Sequence, residues 1–419
     1  TVSATYDEVG SFSEGRLAVK RNNLWGFVDV NGLEVIPCRF SQVNNFSEGY
    51  ASVKLGRKWG FVDKLGDLEI PAVYNRAGNF NNSLAWIYTG GDYGYLNKKG
   101  EEVIPAELDK AFDFEAGIAR VAVNGEYGLI DTVGNYVLKP KFSNIDPFND
   151  SGLAIVRYGN NRIQYGVIDR TGKMLTDKNY RSISAYREGL AAVKFKNDYG
   201  FIDKNGRLVI SAEYSKAADF REDRVAVQRA GQCGYLRRDG SVAVDFKYSK
   251  CLDFKGGKAV VYQGSRKAGL VDLEGREIIQ PSLNKLVDFS EERGLVRDEK
   301  YRFYYITDQA RHYDGFYQKA TPFKHGVAVV QMDNKWGIIN QKGIEIIPPK
   351  YDQIESFENG YAKVRIRGFN GLTNLKGVAI VAPDYEYISY AGAGLFRVEQ
   401  GDKIGYFNAT GEWVHELTE

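Results

Sequence analysis

Little in this chain is suited to metal, redox or membrane chemistry. Its 419 residues include three cysteines, two methionines, three histidines and ten prolines. Three cysteines cannot build the disulfide framework of a small secreted scaffold. The histidines, His312, His325 and His415, fall in unrelated sequence surroundings. No HExxH pair, Walker-type glycine loop, Ser/His/Asp set or Cys/His set can be assembled from the sequence. No catalytic residue, metal site or cofactor is therefore expected, and the chain reads as non-enzymatic. Uncharged apolar runs never approach the roughly 18 residues of a membrane-spanning helix. An excess of one charge is also missing, with 56 Lys and Arg against 54 Asp and Glu. A dedicated nucleic-acid binder usually carries a clear positive excess, so that class is disfavoured. The chain opens at Thr1 without Met, so the lack of a visible leader leaves the compartment open.

What is abundant is Tyr, Phe and Gly, at 28, 23 and 46 residues. Aromatic residues suit pleated sheets and glycines suit turns. They recur in order. An aromatic-Gly pair appears at Trp25-Gly26, Trp59-Gly60, Tyr93-Gly94, Tyr127-Gly128, Tyr165-Gly166, Tyr199-Gly200 and Trp336-Gly337. It persists with the aromatic replaced at Cys233-Gly234, Ala268-Gly269, Asn370-Gly371 and Ile404-Gly405. Most spacings are 34 residues, and the 68 between Gly269 and Gly337 hides a worn ninth unit whose glycine position falls on Phe303. The chain is thus one continuous array over 1–419, with twelve units starting near 6, 40, 74, 108, 142, 180, 214, 248, 283, 317, 351 and 385.

Within a unit, Leu17–Lys20 and Trp25–Asp29 read as two strands of a hairpin. Asp29-Val30-Asn31-Gly32 reads as a tight turn, with Asp accepting backbone hydrogen bonds and Gly supplying positive φ. Val35-Ile36 reads as a third strand, whose pairing Pro37 ends. Such a three-stranded meander cannot bury both faces alone, so it must pack on its neighbours. The four extra residues of the fifth unit (Tyr158 to Gln164) and the one in the eighth (near Ser265-Arg266-Lys267) fall in the hairpin loop, which marks an exposed face.

The pattern aromatic-x-Glu-Gly-x-Ala-x-Val, then Trp-Gly-Phe-Ile-Asp-x-x-Gly-x-x-Val-Ile-Pro, resembles the WG (KWG) repeat family. Phe46 to Pro71 and Tyr186 to Ile210 carry it most fully. The resemblance implies a bacterial, β-rich tandem repeat protein. It supplies neither catalytic residues nor a defined ligand.

The fold expected is all-β, an open or superhelical β-solenoid of about twelve three-stranded antiparallel units of about 34 residues. The alternative is two six-bladed β-propellers. A propeller blade usually needs four strands and about 40 to 50 residues. Two rings would also call for a linker or changed unit near Thr171 to Gly206, which the sequence does not display. The first unit is close to consensus, so further sequence is expected before Thr1.

Most signature positions answer to the fold. Trp25, Trp59 and Trp336 share a column with tyrosines and read as packing residues. The Asp column also holds Asn97, Asn340, Asn374, Asn408 and Arg237, which fits turn capping better than a ladder of metal ligands. Cys233 and Cys251 replace an aromatic and an aliphatic template residue, so buried free thiols are expected. Two features stand apart. Along the hairpin-loop row, Lys and Arg outnumber Asp and Glu about two to one, with Lys20, Arg21, Arg57, Lys58, Arg162, Arg266 and Lys267 as candidate contacts for an acidic partner. Trp86 breaks its column of Ala18, Ser52, Arg120, Ala192 and Lys363, and is expected to face outward beside Arg120 as a contact hot spot. Together these point to a repeat scaffold that binds another protein. A glycan- or cell-wall-binding module at the bacterial envelope is the alternative. A protein partner is expected, a glycan is the other candidate, and the weak preference in compartment is for the envelope or a secreted form.

Overall fold

A computed structural model describes residues 6–159, 162–307, 309, 311–312, 315–355, 357–392 and 394–418. Among them the chain is all-β, with 46 strands in twelve antiparallel sheets and no helix. Close contacts divide it into two compact units. One runs to Ser184 and adds Val193–Lys196 and Ile202–Leu208. The other holds Ala185–Ala192, Asn197–Phe201 and the chain from Val209 onward.

The expected three strands per repeat become four. In the second repeat they are Gln42–Val43, Ala51–Leu55, Lys58–Val62 and Leu68–Tyr74, paired in sequence order. The strand that the sequence conceals is the first, two residues long, pairing Gln42 with Lys54 and Val43 with Val53. Ten of the twelve sheets are four-stranded. In strand count the repeats are therefore propeller-like rather than solenoid-like. The 34 residues suffice because the first strand is so short and the central hairpin turns in two residues, Leu55 pairing with Lys58.

The glycine of the aromatic-Gly pair has a specific reason. Trp59 pairs with Tyr74 and Phe61 with Ile70, so two residues of the third strand span four of the fourth. The fourth strand bulges over Gly60. A Cβ at Gly60 would stand 2.5 Å from the Ile70 carbonyl oxygen and 2.7 Å from the Ala72 nitrogen. The bulge also accommodates Pro71. Pairing does not end at the proline; the strand runs on to Tyr74, because a residue inside a bulge need not donate to the ladder.

Among the described residues two sheets have three strands, and both repeats differ from the others at this crossing. In the ninth, Val296 pairs with Tyr304 and Arg297 with Phe303. Phe303 therefore occupies the aromatic position and Tyr304 the glycine position, one residue away from the register expected from spacing. A tyrosine stands there in place of glycine; among the described residues the sheet has three strands, Leu286–Ser290, Arg293–Arg297 and Phe303–Thr307, with the bridges Phe303–Tyr317 and Ile306–His312 beyond them. In the fifth, Thr176 and Asp177 stand where other repeats have Ile-Pro. Only the bridges Ile168–Met174 and Tyr165–Tyr180 remain, and the Met174 sulfur takes the space above Gly166. A changed unit does therefore lie between Thr171 and Gly206, contrary to expectation.

Candidate binding surface

Within each compact unit, neighbouring sheets pack face to face through buried side chains. Phe27 meets Phe46 of the following repeat, and the contact recurs as Phe61–Phe80, Tyr95–Phe114, Phe201–Phe220, Tyr235–Phe254 and Tyr305–Phe323, with centroids 4.8 to 5.1 Å apart. Where the first member is tyrosine, its hydroxyl crosses the seam. Tyr95 donates to the Phe112 carbonyl at 2.7 Å and Tyr305 to that of Thr321 at 2.6 Å. Burial raises the pKa of Tyr95, Tyr235 and Tyr305 above the ordinary phenol range, because desolvation disfavours the phenolate.

The turns lock the repeats at one end. Asp29 Oδ1 accepts the N–H of Asn31 and of Leu33, both at 2.9 Å. The same cap recurs at Asp63, Asn97, Asp131, Asp169, Asp203, Asp272, Asn340, Asn374 and Asn408. The column is thus built for turn capping. Thr307 takes the role in the ninth repeat, and in the seventh Asp239 replaces the incapable Arg237. The Leu33 N–H, desolvation opposing it, is the foremost of the groups that hold the Asp29 carboxyl below its usual range.

The row of hairpin loops is less uniformly cationic than its own residues suggest, because other strands bring carboxylates to it. Lys20 pairs with Glu8 at 2.6 Å, Arg21 with Glu34 at 2.5 Å, and Arg229 with Glu213 at 3.6 Å. Lys335 pairs with Asp352, and Lys58 donates to the Asn75 side chain at 3.1 Å. Of the candidate contacts, Arg57, Arg162, Arg266 and Lys267 remain. All four are exposed, and none has an ion-pair partner among the described residues.

Trp86 does not face outward. Its column points into the seam, where Ala18 and Ser52 are buried. Trp86 itself is half-buried and packs on Tyr93 with centroids 5.7 Å apart. Burial raises the pKa of the neighbouring Asp113 carboxyl, and the Trp86 side chain partly offsets that rise. Nor is Arg120 an outward contact. It donates to the Ile145 carbonyl of the next repeat at 2.9 Å and lies 4.3 Å over Phe112. Burial lowers its pKa.

The expected free thiols at Cys233 and Cys251 are instead a disulfide, with Cα atoms 6.1 Å apart. It joins the seventh repeat to the eighth. The sequence does carry a signal for it. Cys233 stands in the aromatic column and Cys251 in the first-strand column of the next repeat, the two columns that Trp59 and Ala77 bring together elsewhere. Cys38 is the free cysteine, half-buried with its sulfur 3.7 Å from the Val19 carbonyl.

A groove opens along this seam at three places. Between the second and third repeats it holds about 490 Å³ and is lined by Trp59 and Trp86. Between the seventh and eighth it holds about 230 Å³ over the disulfide, flanked by Lys216 and Lys250. Between the eleventh and twelfth, also about 230 Å³, it carries Glu355, Lys363, Arg365 and Glu386. The backbone repeats while the lining changes.

A search of curated proteins finds no match. Among solved structures, the eukaryotic initiation factor is similar at 13% identity and a TM-score of 0.35, over 73% of this chain and 98% of that one. PorZ, a bacterial surface component of the type-IX secretion system of Porphyromonas gingivalis, is similar at 11% identity and TM-score 0.26, over 97% and 72%. BamB from Moraxella catarrhalis is similar at 11% identity and TM-score 0.28, over 61% and 92%. With TM-scores this far below 0.5, none of these likenesses bears on function. The WG containing repeat matches ten segments, residues 2–25, 25–59, 59–91, 93–127, 127–161, 165–198, 199–233, 234–266, 317–336 and 336–368. With most of its length so matched, the chain belongs to the WG containing repeat family.

Proposed function

We propose that this chain is a non-enzymatic repeat scaffold that binds another protein through its row of hairpin loops. One observation carries the reading. Arg57, Arg162, Arg266 and Lys267, on the hairpin loops of the second, fifth and eighth repeats, are exposed and have no ion-pair partner among the described residues. Long cationic side chains so placed attract an acidic surface. The Cys233–Cys251 disulfide favours an oxidising compartment, which supports a role at the cell envelope or outside the cell.

The test compares the chain with its Arg57→Glu, Arg266→Glu, Lys267→Glu variant as baits, reading retained proteins by quantitative mass spectrometry. A partner held by the first, lost from the variant and released by about 0.3 M salt is the expected result. Equal retention by both baits rejects the role given to the loops.

A further inference from the structure

We propose that the groove between the second and third repeats is a saccharide-binding site, with Trp59 and Trp86 as stacking platforms and an acidic pyranose as the preferred ligand. The site goes beyond the protein-binding role; it adjoins the hairpin loop that carries Arg57, so its test uses saccharide ligands and variants that leave the loop cations unchanged.

Trp86 is built into place by two coordinated departures from the repeat. In its own repeat the facing position is Gly78, and a Cβ there would stand 2.1 Å from the indole nitrogen. In the fourth repeat the corresponding positions hold Phe112 under Arg120. Only glycine lets the indole lie flat against the first strand. The contact with Tyr93 then helps fix its orientation. The ring stays half-buried and borders the same groove as the half-buried Trp59.

The remaining lining suits a polyhydroxylated ring. Gln42, Asn44 and Asn75 present carboxamides, which both donate and accept as sugar hydroxyls do. The Gln42 carbonyl oxygen accepts from Lys54 at 3.4 Å and that of Asn75 from Lys58 at 3.1 Å. Gln42 and Asn75 therefore keep their N–H₂ groups for a ligand, whereas that of Asn44 donates to Ser52 Oγ at 2.8 Å and to the Ala77 carbonyl at 3.4 Å, leaving its carbonyl oxygen to accept. The weakly positive C–H face of a pyranose complements the negative face of an indole. The groove's volume of about 490 Å³ falls within the roughly 300–1,000 Å³ of small-molecule sites. No carboxylate lines it, whereas Lys54 and Arg76 do. A guanidinium pairs a carboxylate through two parallel hydrogen bonds, which is why a uronic acid is preferred to a neutral sugar.

The test is calorimetric titration of the full chain with tetragalacturonate, with chitotetraose as a neutral saccharide and with a proline-rich decapeptide as a peptide competitor for aromatic grooves. The expected result is binding of tetragalacturonate, weaker binding of chitotetraose, and no binding of the peptide. Trp86→Ala should weaken both saccharides at least tenfold. The variant is expected to fold, since Ala18 and Ala192 occupy the same column, and an unchanged circular dichroism spectrum and melting profile outside the third repeat would show it. Arg76→Ala should abolish the preference for the acidic saccharide while leaving chitotetraose binding intact. Absence of saccharide binding, equal affinity of Trp86→Ala, or capture of the peptide alone overturns the proposal. None of these outcomes touches the loop-charge experiment.

Discussion

The carboxylate of Glu14 accepts the backbone N–H of Glu48 at 2.8 Å and of Gly49 at 3.0 Å, one repeat further along the chain. Glu48 in turn accepts the N–H of Ser83 at 3.0 Å. The relay recurs from Glu188 to Glu222 and from Glu222 to Gly256 and Gly257. It recurs again from Glu291 to His325 and Gly326. Each carboxylate sits in a tight turn with positive φ and caps the same turn in the next repeat. Removing it leaves two backbone donors without their acceptor. Glu14→Ala is expected to cost about 1 kcal/mol, the partial exposure keeping the effect modest, and Glu14→Gln less. The diagnostic measurement is amide hydrogen exchange. Exchange at Gly49 should accelerate in Glu14→Ala while Ser83 stays protected; unchanged protection at Gly49 would remove the relay from the stability of the seam.

Gly60 and Gly56 should respond very differently to the same substitution. A Cβ at Gly60 meets the backbone of the fourth strand, which cannot move without losing its pairing. Gly56 has φ of 62° but open space around it. Gly60→Ala is expected to destabilise by more than about 3 kcal/mol, and Gly56→Ala by only about 1 kcal/mol, for the left-handed conformation alone. Urea unfolding of the two variants distinguishes them, and equal midpoints would refute the bulge account.

The unfolded, unreduced chain should show a single reactive thiol, Cys38. Reduction should expose three and lower the melting temperature of the seventh and eighth repeats. Closing a loop of 18 residues corresponds to about 3 kcal/mol in the chain-entropy picture. Thiol titration in denaturant, with and without reductant, checks both statements. Three thiols before reduction would exclude the disulfide.

Stability should fall at both ends of the pH scale for opposite reasons. Burial raises the folded-state pKa of Tyr95, Tyr235 and Tyr305. Their stabilising contribution is complete below the unfolded value of 10.0 and is lost as pH rises through the folded values. Asp29 is the reverse case. Its folded pKa is depressed below 3.8, so its contribution is present above that value and fades as pH falls through the folded one. Melting temperature against pH should be flat near neutrality and decline above about pH 10. Tyr95→Phe should blunt the alkaline decline; an unaltered alkaline limb would dissociate it from the buried phenols.

Much of this was legible in the sequence because it is local. The spacing of the glycines, the hairpin of each repeat and the Asp-capped turn all depend on residues within about ten positions of one another. Other features escaped for identifiable reasons. A two-residue strand such as Gln42–Val43 shows no alternation, so its periodicity cannot be read. The ninth repeat gains a residue before Phe303 and loses one after it. Total spacing is conserved while the register slips, and only the pairing of Val296 with Tyr304 reveals it. The basic row looked more cationic than it is because Glu8, Glu34, Glu213 and Asp352, which neutralise parts of it, lie outside the hairpin loops.

The sequence alone thus determined the repeat, its length, its all-β character and its family, since each follows from short-range patterns of aromatic and glycine residues. The tertiary structure decided which columns meet across the seam. That contact joins Cys233 to Cys251 and leaves a groove beside Trp59 and Trp86. Such pairings depend on the stacking of one sheet on the next, where residues about 18 to 35 positions apart come within bonding distance and no periodicity in the chain records which of them touch.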